Sequence, residues 1–315
     1  MGRLMPVISP TTFRWLAAVT ALFAYLQITL GGIVRVSGSG LGCPDWPLCH
    51  GRPYPPANLH AIIEYSHRTV GSLTGILIIA TVVAAWLVFG RRRPLVPLLA
   101  TATLPTVLLE GTVGAVVVFK ELPGLLVLVH LAIALLILGL LIAAAVFALP
   151  HPRDLASPAL PRLAVAAVAV TYLVLLTGSS VVATHADDAC KSWPLCGGGF
   201  QPSFRGVDAY NMLHRFAVGL GGVFMLHVMA SAVRRGRGVR GLRAAGAATL
   251  LAFGLQALVL GYQVATTHDN GLWNGLHLAL ATAVWSGMVT IAALAVHAAS
   301  ETAPAPALRF EGRAA

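Results

Sequence analysis

The sequence is poor in charge. Only 10% of its 315 residues are Asp, Glu, Lys or Arg, while 57% are hydrophobic; a soluble domain carries roughly 25% charged residues. That shortage leaves no room for a sizeable soluble domain. Acidic residues are the scarcer sign, 11 against 21 basic, for a net charge of +10. In a soluble chain such an excess would suggest nucleic acid, but here the arginines sit between apolar runs, where they set topology. No nucleic-acid partner is expected. Cysteine is limited to four residues, none in a C-x-x-C-H motif, which argues against covalent c-type haem attachment. A glycine-rich run, GSGLG at Gly38–Gly42, follows a helical pattern rather than a strand, so a nucleotide-binding loop fails on context. No convincing cleavage site follows the first apolar run, Trp15 to Val34, which is expected to stay as a membrane span.

What is abundant is apolar length. Runs of about 20 residues, each enough to cross a bilayer, recur through the chain. Lipid offers backbone groups no partner, so such runs must be helical. Eight are expected, at about 15–34, 61–89, 95–118, 125–148, 162–183, 211–232, 244–265 and 272–298. The fold class is an all-α polytopic membrane protein.

Fourteen basic residues gather on one side: Arg3, Arg14, Arg91, Arg92, Arg93, Arg153, Arg162, Arg234, Arg235, Arg237, Arg240, Arg243, Arg309 and Arg313. The opposite loops hold few: Arg52, Lys120, Lys191 and Arg205. The positive-inside rule then puts both termini in the cytoplasm and the cysteine loops on the outer face of the cell membrane.

The chain also repeats itself. Cys43, Trp46, Cys49, His67 and Arg68 recur as Cys190, Trp193, Cys196, His214 and Arg215, each 147 positions on, and His130 recurs as His277. Two tandem four-helix bundles are expected, residues 1–150 and 151–315. With an even number of helices in each, their pseudo-twofold should run along the membrane normal. The joint is the stretch His151–Arg162, with Pro150, Pro152, Pro158 and Pro161 as breakers. Glu301–Ala315 reads as a short solvated tail.

His67, His130, His214 and His277 fall one to two turns inside even-numbered helices, roughly 10 Å deep at 1.5 Å per residue. Within each copy the two histidines should face one another. Bundle cores build cofactor sites from facing helices, and a pair of neutral imidazoles suits a haem iron. One such histidine alone reads equally well as a packed helix contact; four at matched depth point to function. A structural zinc site needs about four ligands, and each copy offers two histidines. His50, His60, His185 and His268 fall in or beside outer loops, and His227 and His297 read as surface or interfacial.

Glu64 lies three residues before His67, on the same helical face, and its counterpart is Asn211. A carboxylate beside a haem can take a proton or stabilise developing positive charge; an amide does neither well. The first copy is therefore expected to do chemistry and the second to hold an inert redox group. The plainer role for Glu64 is an i,i+4 pair with Arg68 at an exposed helix end, worth little. Arg68 and Arg215 are candidates for pairing with haem propionates or for snorkelling to lipid headgroups. Glu110, on the third helix, is a candidate for a proton path, with a helix–helix hydrogen bond the simpler reading. Local disulfides, Cys43–Cys49 and Cys190–Cys196, are favoured in an oxidising compartment, as clips over the loops; a redox role for the first pair is the lesser alternative.

The run GSGLGCPDWPLCHGR, the IIEYSHR that follows, and the histidine pair of the second copy resemble the haem A synthase family over nearly the whole length. The resemblance implies an eight-helix membrane enzyme that converts haem O to haem A for cytochrome oxidase. One ring methyl would be oxidised twice, the geminal diol losing water to leave a formyl group. It further implies substrate haem O at His67 and His130, catalysis by Glu64, haem b at His214 and His277, and both disulfides. Haem O synthase, cytochrome oxidase assembly factors and an electron donor are the partners it suggests. An iron held by two histidines has no open position for oxygen. Either a substrate-side histidine lets go, or the periphery is oxidised by electron removal and water attack assisted by Glu64. Two other functions fit a di-haem membrane protein: a haem carrier or chaperone, and a quinol dehydrogenase that leaves haem unaltered.

Overall fold

The computed structural model describes residues 8–150, 157–186, 189–267 and 271–300. Among these are eight helices long and apolar enough to cross a membrane. They are α1 (Pro10–Val36), α2 (Leu59–Val88), α3 (Leu95–Phe119), α4 (Gly124–Phe147), α5 (Leu160–Ala183), α6 (Asp208–Arg235), α7 (Leu242–Thr266) and α8 (Gly271–Ala299). No strand longer than an isolated bridge occurs among the described residues. The tail Glu301–Ala315, the first half of the joint (151–156), and Arg3, Arg153, Arg309, Arg313 and His268 lie outside them.

Caps explain where helices depart from the apolar runs. The α1 helix begins five residues early because Ser9 accepts from the Thr12 N–H and Pro10 supplies a helical first residue. Asn58 starts α2 by accepting from the His60 and Ala61 N–H groups. Within α7, Leu255–Leu260 is π-helical, an insertion that apolar patterning does not reveal.

The first four helices form a closed ring, with α1 on α2, α2 on α3, α3 on α4 and α4 on α1; α5 to α8 form another in the same order. The rings join through α4 against α8, α1 against α8, and α4 against α5. Ile78, Leu135, Leu138 and Leu141 are fully buried in the first half, and Met225, Met229, Met288 and Ile291 in the second. Ile76, Ile79, Val83 and Leu87 on α2 are exposed, as expected where a helix faces lipid.

With lipid as solvent, helix association relies on close packing rather than water exclusion, so small residues mark the contacts. Gly124 begins α4 hard against the Ala183 carbonyl of α5, and Gly271 begins α8 beside the Val36 carbonyl of α1. A side chain at Gly124 would collide with that carbonyl. Trp285 of α8 is buried between the halves; its Nε1 donates to the Leu135 carbonyl at 2.9 Å, and its ring lies 5.5 Å from that of Tyr172. His297 departs from the surface position expected of it. It is 3% exposed and packs edge-on against Phe147, because α4 and α8 remain in contact to their ends.

Candidate functional site

All four histidines of the repeated motif are half-buried near the starts of α2, α4, α6 and α8. Three of the rings lie against a glycine of the preceding helix. A Cβ at Gly31, Gly114 or Gly178 would come 3.1, 3.0 or 2.9 Å from the Cε1 atom of His67, His130 or His214 respectively. Such approaches are tighter than ordinary van der Waals contact, so a missing side chain makes each imidazole's seat. Gly31 and Gly178 are related by the 147-position shift, as are Gly114 and Gly261. Gly261, however, lies against Trp193 rather than His277.

The ring nitrogens are sparsely partnered. His67 Nε2 is 3.3 Å from Gln27 Nε2, and His214 Nδ1 is 3.1 Å from Thr177 Oγ1. His130 Nδ1 lies 3.1 Å from Glu110 Oε1, within ion-pair distance but off the line of a hydrogen bond. The Nδ1 atoms of His67 and His277 are buried without a hydrogen bond, as is Glu110 Oε2. Unpaired buried polar atoms are costly. His67 and His130 stand on α2 and α4 of one ring of helices, and His214 and His277 on α6 and α8 of the other. Among the described residues no group of three or more His, Cys, Asp or Glu could hold a metal ion, so a closed zinc site does not form there. Two imidazoles in each ring of helices, three of the four glycine-backed and three with an unpaired Nδ1, do fit a group that takes two axial nitrogen ligands.

Glu64 is 3% exposed. Its Oε2 accepts from the Cys43 N–H at 2.9 Å and its Oε1 from Arg68. The pair with Arg68 was expected at an exposed helix end; instead the side chains are 4% and 11% exposed, because the cysteine loop folds down over the start of α2. Arg68 drives that folding. Beyond Glu64 it donates to the carbonyls of Cys43, Asp45 and Leu48. Arg215 repeats the clamp on Cys190, Ser192 and Pro194. Where Glu64 has a carboxylate, Asn211 donates its amide to the Ala186 carbonyl at 2.6 Å.

Both expected disulfides form, Cys43–Cys49 and Cys190–Cys196. Cys43 and Cys49 are fully buried, which favours a clip over an accessible redox pair. In the first loop, Asp45 accepts from the His50 and Gly51 N–H groups at 2.6 and 2.7 Å. These two residues hold left-handed φ angles of 52° and 72°, and the Gly51 bond is the largest influence holding the Asp45 carboxyl below its ordinary range.

Sequence reasoning named the histidines and Glu64 as candidates but did not name the glycine seats, Gln27, Thr177 or the arginine clamps. The constant shift was the available signal for several of them, since Gly31 and Gly178 obey it.

Fold and site together define an eight-helix membrane protein with a repeated loop-and-helix motif and an imidazole pair in each half. Residues 14–211 match the model of a family described as cytochrome oxidase assembly protein. A heme A synthase of Symbiobacterium thermophilum is 33% identical over 88% of this chain and 93% of its own length. One from Alkalihalophilus pseudofirmus is 30% identical over 71% of the chain and 77% of its own. Another, from Geobacillus kaustophilus, is 32% identical over 59% of the chain and 61% of its own. The chain belongs to this cytochrome oxidase assembly family, that of the heme A synthases.

Proposed function

We propose that the chain is a haem A synthase, an oxidoreductase that converts a ring methyl of haem O to a formyl group by successive hydroxylations, supplying haem A for cytochrome oxidase assembly. On this reading residues 1–150 and 151–315 are tandem bundles related by a pseudo-twofold along the membrane normal. The recurrence of packing partners 147 positions apart supports it. The protein sits in the cell membrane with its termini cytoplasmic and its cysteine loops outside.

His67 and His130 bind and orient the substrate haem, with Gly31 and Gly114 setting the two imidazoles. The first cysteine loop, clamped by Arg68 and stapled by Cys43–Cys49, screens this site from water. Glu64 is fixed by the Cys43 N–H and Arg68, so its carboxylate is preorganised. It stabilises positive charge developing at the methyl carbon, or accepts the proton that carbon loses. His214 and His277 would hold haem b, which supplies one-electron redox chemistry when bound. Each hydroxylation takes two electrons and two protons from the methyl carbon and a water molecule, leaves the water oxygen on that carbon, and needs a two-electron acceptor outside this chain.

One observation carries the reading: two matched imidazole pairs differ in the group beside them, Glu64 against Asn211. Glu64→Gln keeps the packing, and should leave both haem sites occupied while abolishing the formyl product. Normal haem A in that variant would refute the assignment. A carrier or a quinol dehydrogenase would instead hold only unaltered haem, in wild type and variant alike.

A further inference from the structure

The first half holds a second, half-buried carboxylate that the reading above does not use. Glu110 lies on α3 with its side chain 15% exposed and its Oε1 3.1 Å from His130 Nδ1. Its Oε2 is buried without a partner, and His130 Nδ1, though 3.1 Å from Oε1, makes no hydrogen bond. The two groups are adjacent and each is otherwise unsatisfied.

The second half answers this pair differently. A shift of 147 sets Ala257 opposite Glu110, but the π-helical stretch Leu255–Leu260 adds a residue to α7 relative to α3. Before that stretch, buried positions are related by 146: Val96, Ala100 and Thr103 correspond to Leu242, Gly246 and Thr249. After it, Gly114 and Gly261 return to 147. The earlier register matches Glu110 with Gln256, which is buried and has an unpaired Oε1. The two helix-borne carboxylates of the first half, Glu64 and Glu110, thus stand opposite amides in the second, Asn211 and Gln256.

We propose that Glu110 is a positioning residue for His130: it accepts the ring's Nδ1–H, fixes the tautomer that presents Nε2 to the substrate haem iron, and strengthens that nitrogen as a donor. A carboxylate partner of this kind orients a metal-bound imidazole and raises its basicity. In the second half Gln256 Oε1 and His277 Nδ1 are each without a hydrogen bond among the described residues, so His277 has no carboxylate support of this kind. The two haems therefore differ in ligand strength as well as in neighbouring chemistry. This inference rests on His130 being a ligand of the substrate haem.

The test uses the full chain purified with its haems, and reads the midpoint potential and low-spin spectrum of each haem rather than turnover. Stronger donation favours ferric iron, so the substrate-site potential should rise from wild type to Glu110→Gln and again to Glu110→Ala. Haem retention at that site should fall about 10- to 100-fold in the alanine variant, the range for lost outer partners of metal ligands. The second haem's potential should stay unchanged, which also reports that the variant is folded. If substrate-site potential and spectrum are unmoved in both variants, Glu110 is only a helix–helix contact and the proposal is overturned. His130→Ala separates the two levels of the argument. Loss of the substrate-site haem there upholds the ligand assignment whatever Glu110 does; full retention sinks both.

Discussion

Tyr25 on α1 donates to the carbonyl of Ala279 on α8 at 3.0 Å, and Tyr172 on α5 donates to that of Ala132 on α4 at the same distance. Both donors and both acceptors are 147 positions apart. Each accepting carbonyl lies two residues beyond a histidine of the paired sites, His277 or His130. Each tyrosine therefore ties its own half to the other half's histidine helix. Tyr25→Phe and Tyr172→Phe should each cost about 0.6–1.5 kcal/mol, the range for such bonds between membrane helices. The two losses should add, since the sites share no partner. Unfolding in mixed detergent measures this; no change in either variant would show that the bonds do not hold the halves together.

The arginine clamps look alike but should respond unequally. Arg68→Ala strands the buried Glu64 carboxylate, and breaking a buried pair in this way costs roughly 3–5 kcal/mol. Arg215→Ala leaves only loop carbonyls unpaired, at about 1–3 kcal/mol, because Asn211 carries no charge. Limited proteolysis of the two cysteine loops should find the first far more exposed in its variant than the second. Equal sensitivity would contradict a buried charge at Glu64.

The glycine seats give a local test. Gly31→Ala, Gly114→Ala and Gly178→Ala should each push one imidazole from its place and lower haem retention at that ring's own site. Gly75→Ala and Gly219→Ala face open space and serve as controls. Haem content by site-resolved absorbance checks this, and retention equal to the controls would mean the seats do not set the rings.

The first loop should loosen on the acid side. The N–H groups of Gly51 and His50 lower the Asp45 pKa in the fold. Its contribution is therefore complete above the unfolded value of about 3.9 and is lost as pH falls through the lower folded value. Loop proteolysis with an acid-tolerant protease from pH 7 to pH 3 should rise late in wild type. Asp45→Asn should flatten that rise, and an unaltered profile would contradict the role.

Much of this molecule was legible because lipid imposes simple rules. Apolar length located the eight helices, and the constant shift marked the four candidate histidines and the two cysteine pairs, with Glu64 marked as a position where the copies differ. What escaped notice depends on contacts rather than residue type. Gly31 and Gly178 are ordinary glycines until His67 and His214 are seen lying on them. Arg68 read as a headgroup or propionate ligand because nothing in the pattern told of a loop folding back over it. Gln256 was hidden by the π-helical insertion, which breaks the shift over the very turn where it matters.

The central claim is that the first half holds the haem being altered and the second a resident one. Mass analysis of haems extracted from His67→Ala/His130→Ala and His214→Ala/His277→Ala chains, produced in cells that make haem O, tests it directly. The first double variant should retain only haem b, and the second only haem O or its oxidised derivatives. Haem b bound to the first half, or the same mixture in both variants, would contradict the account.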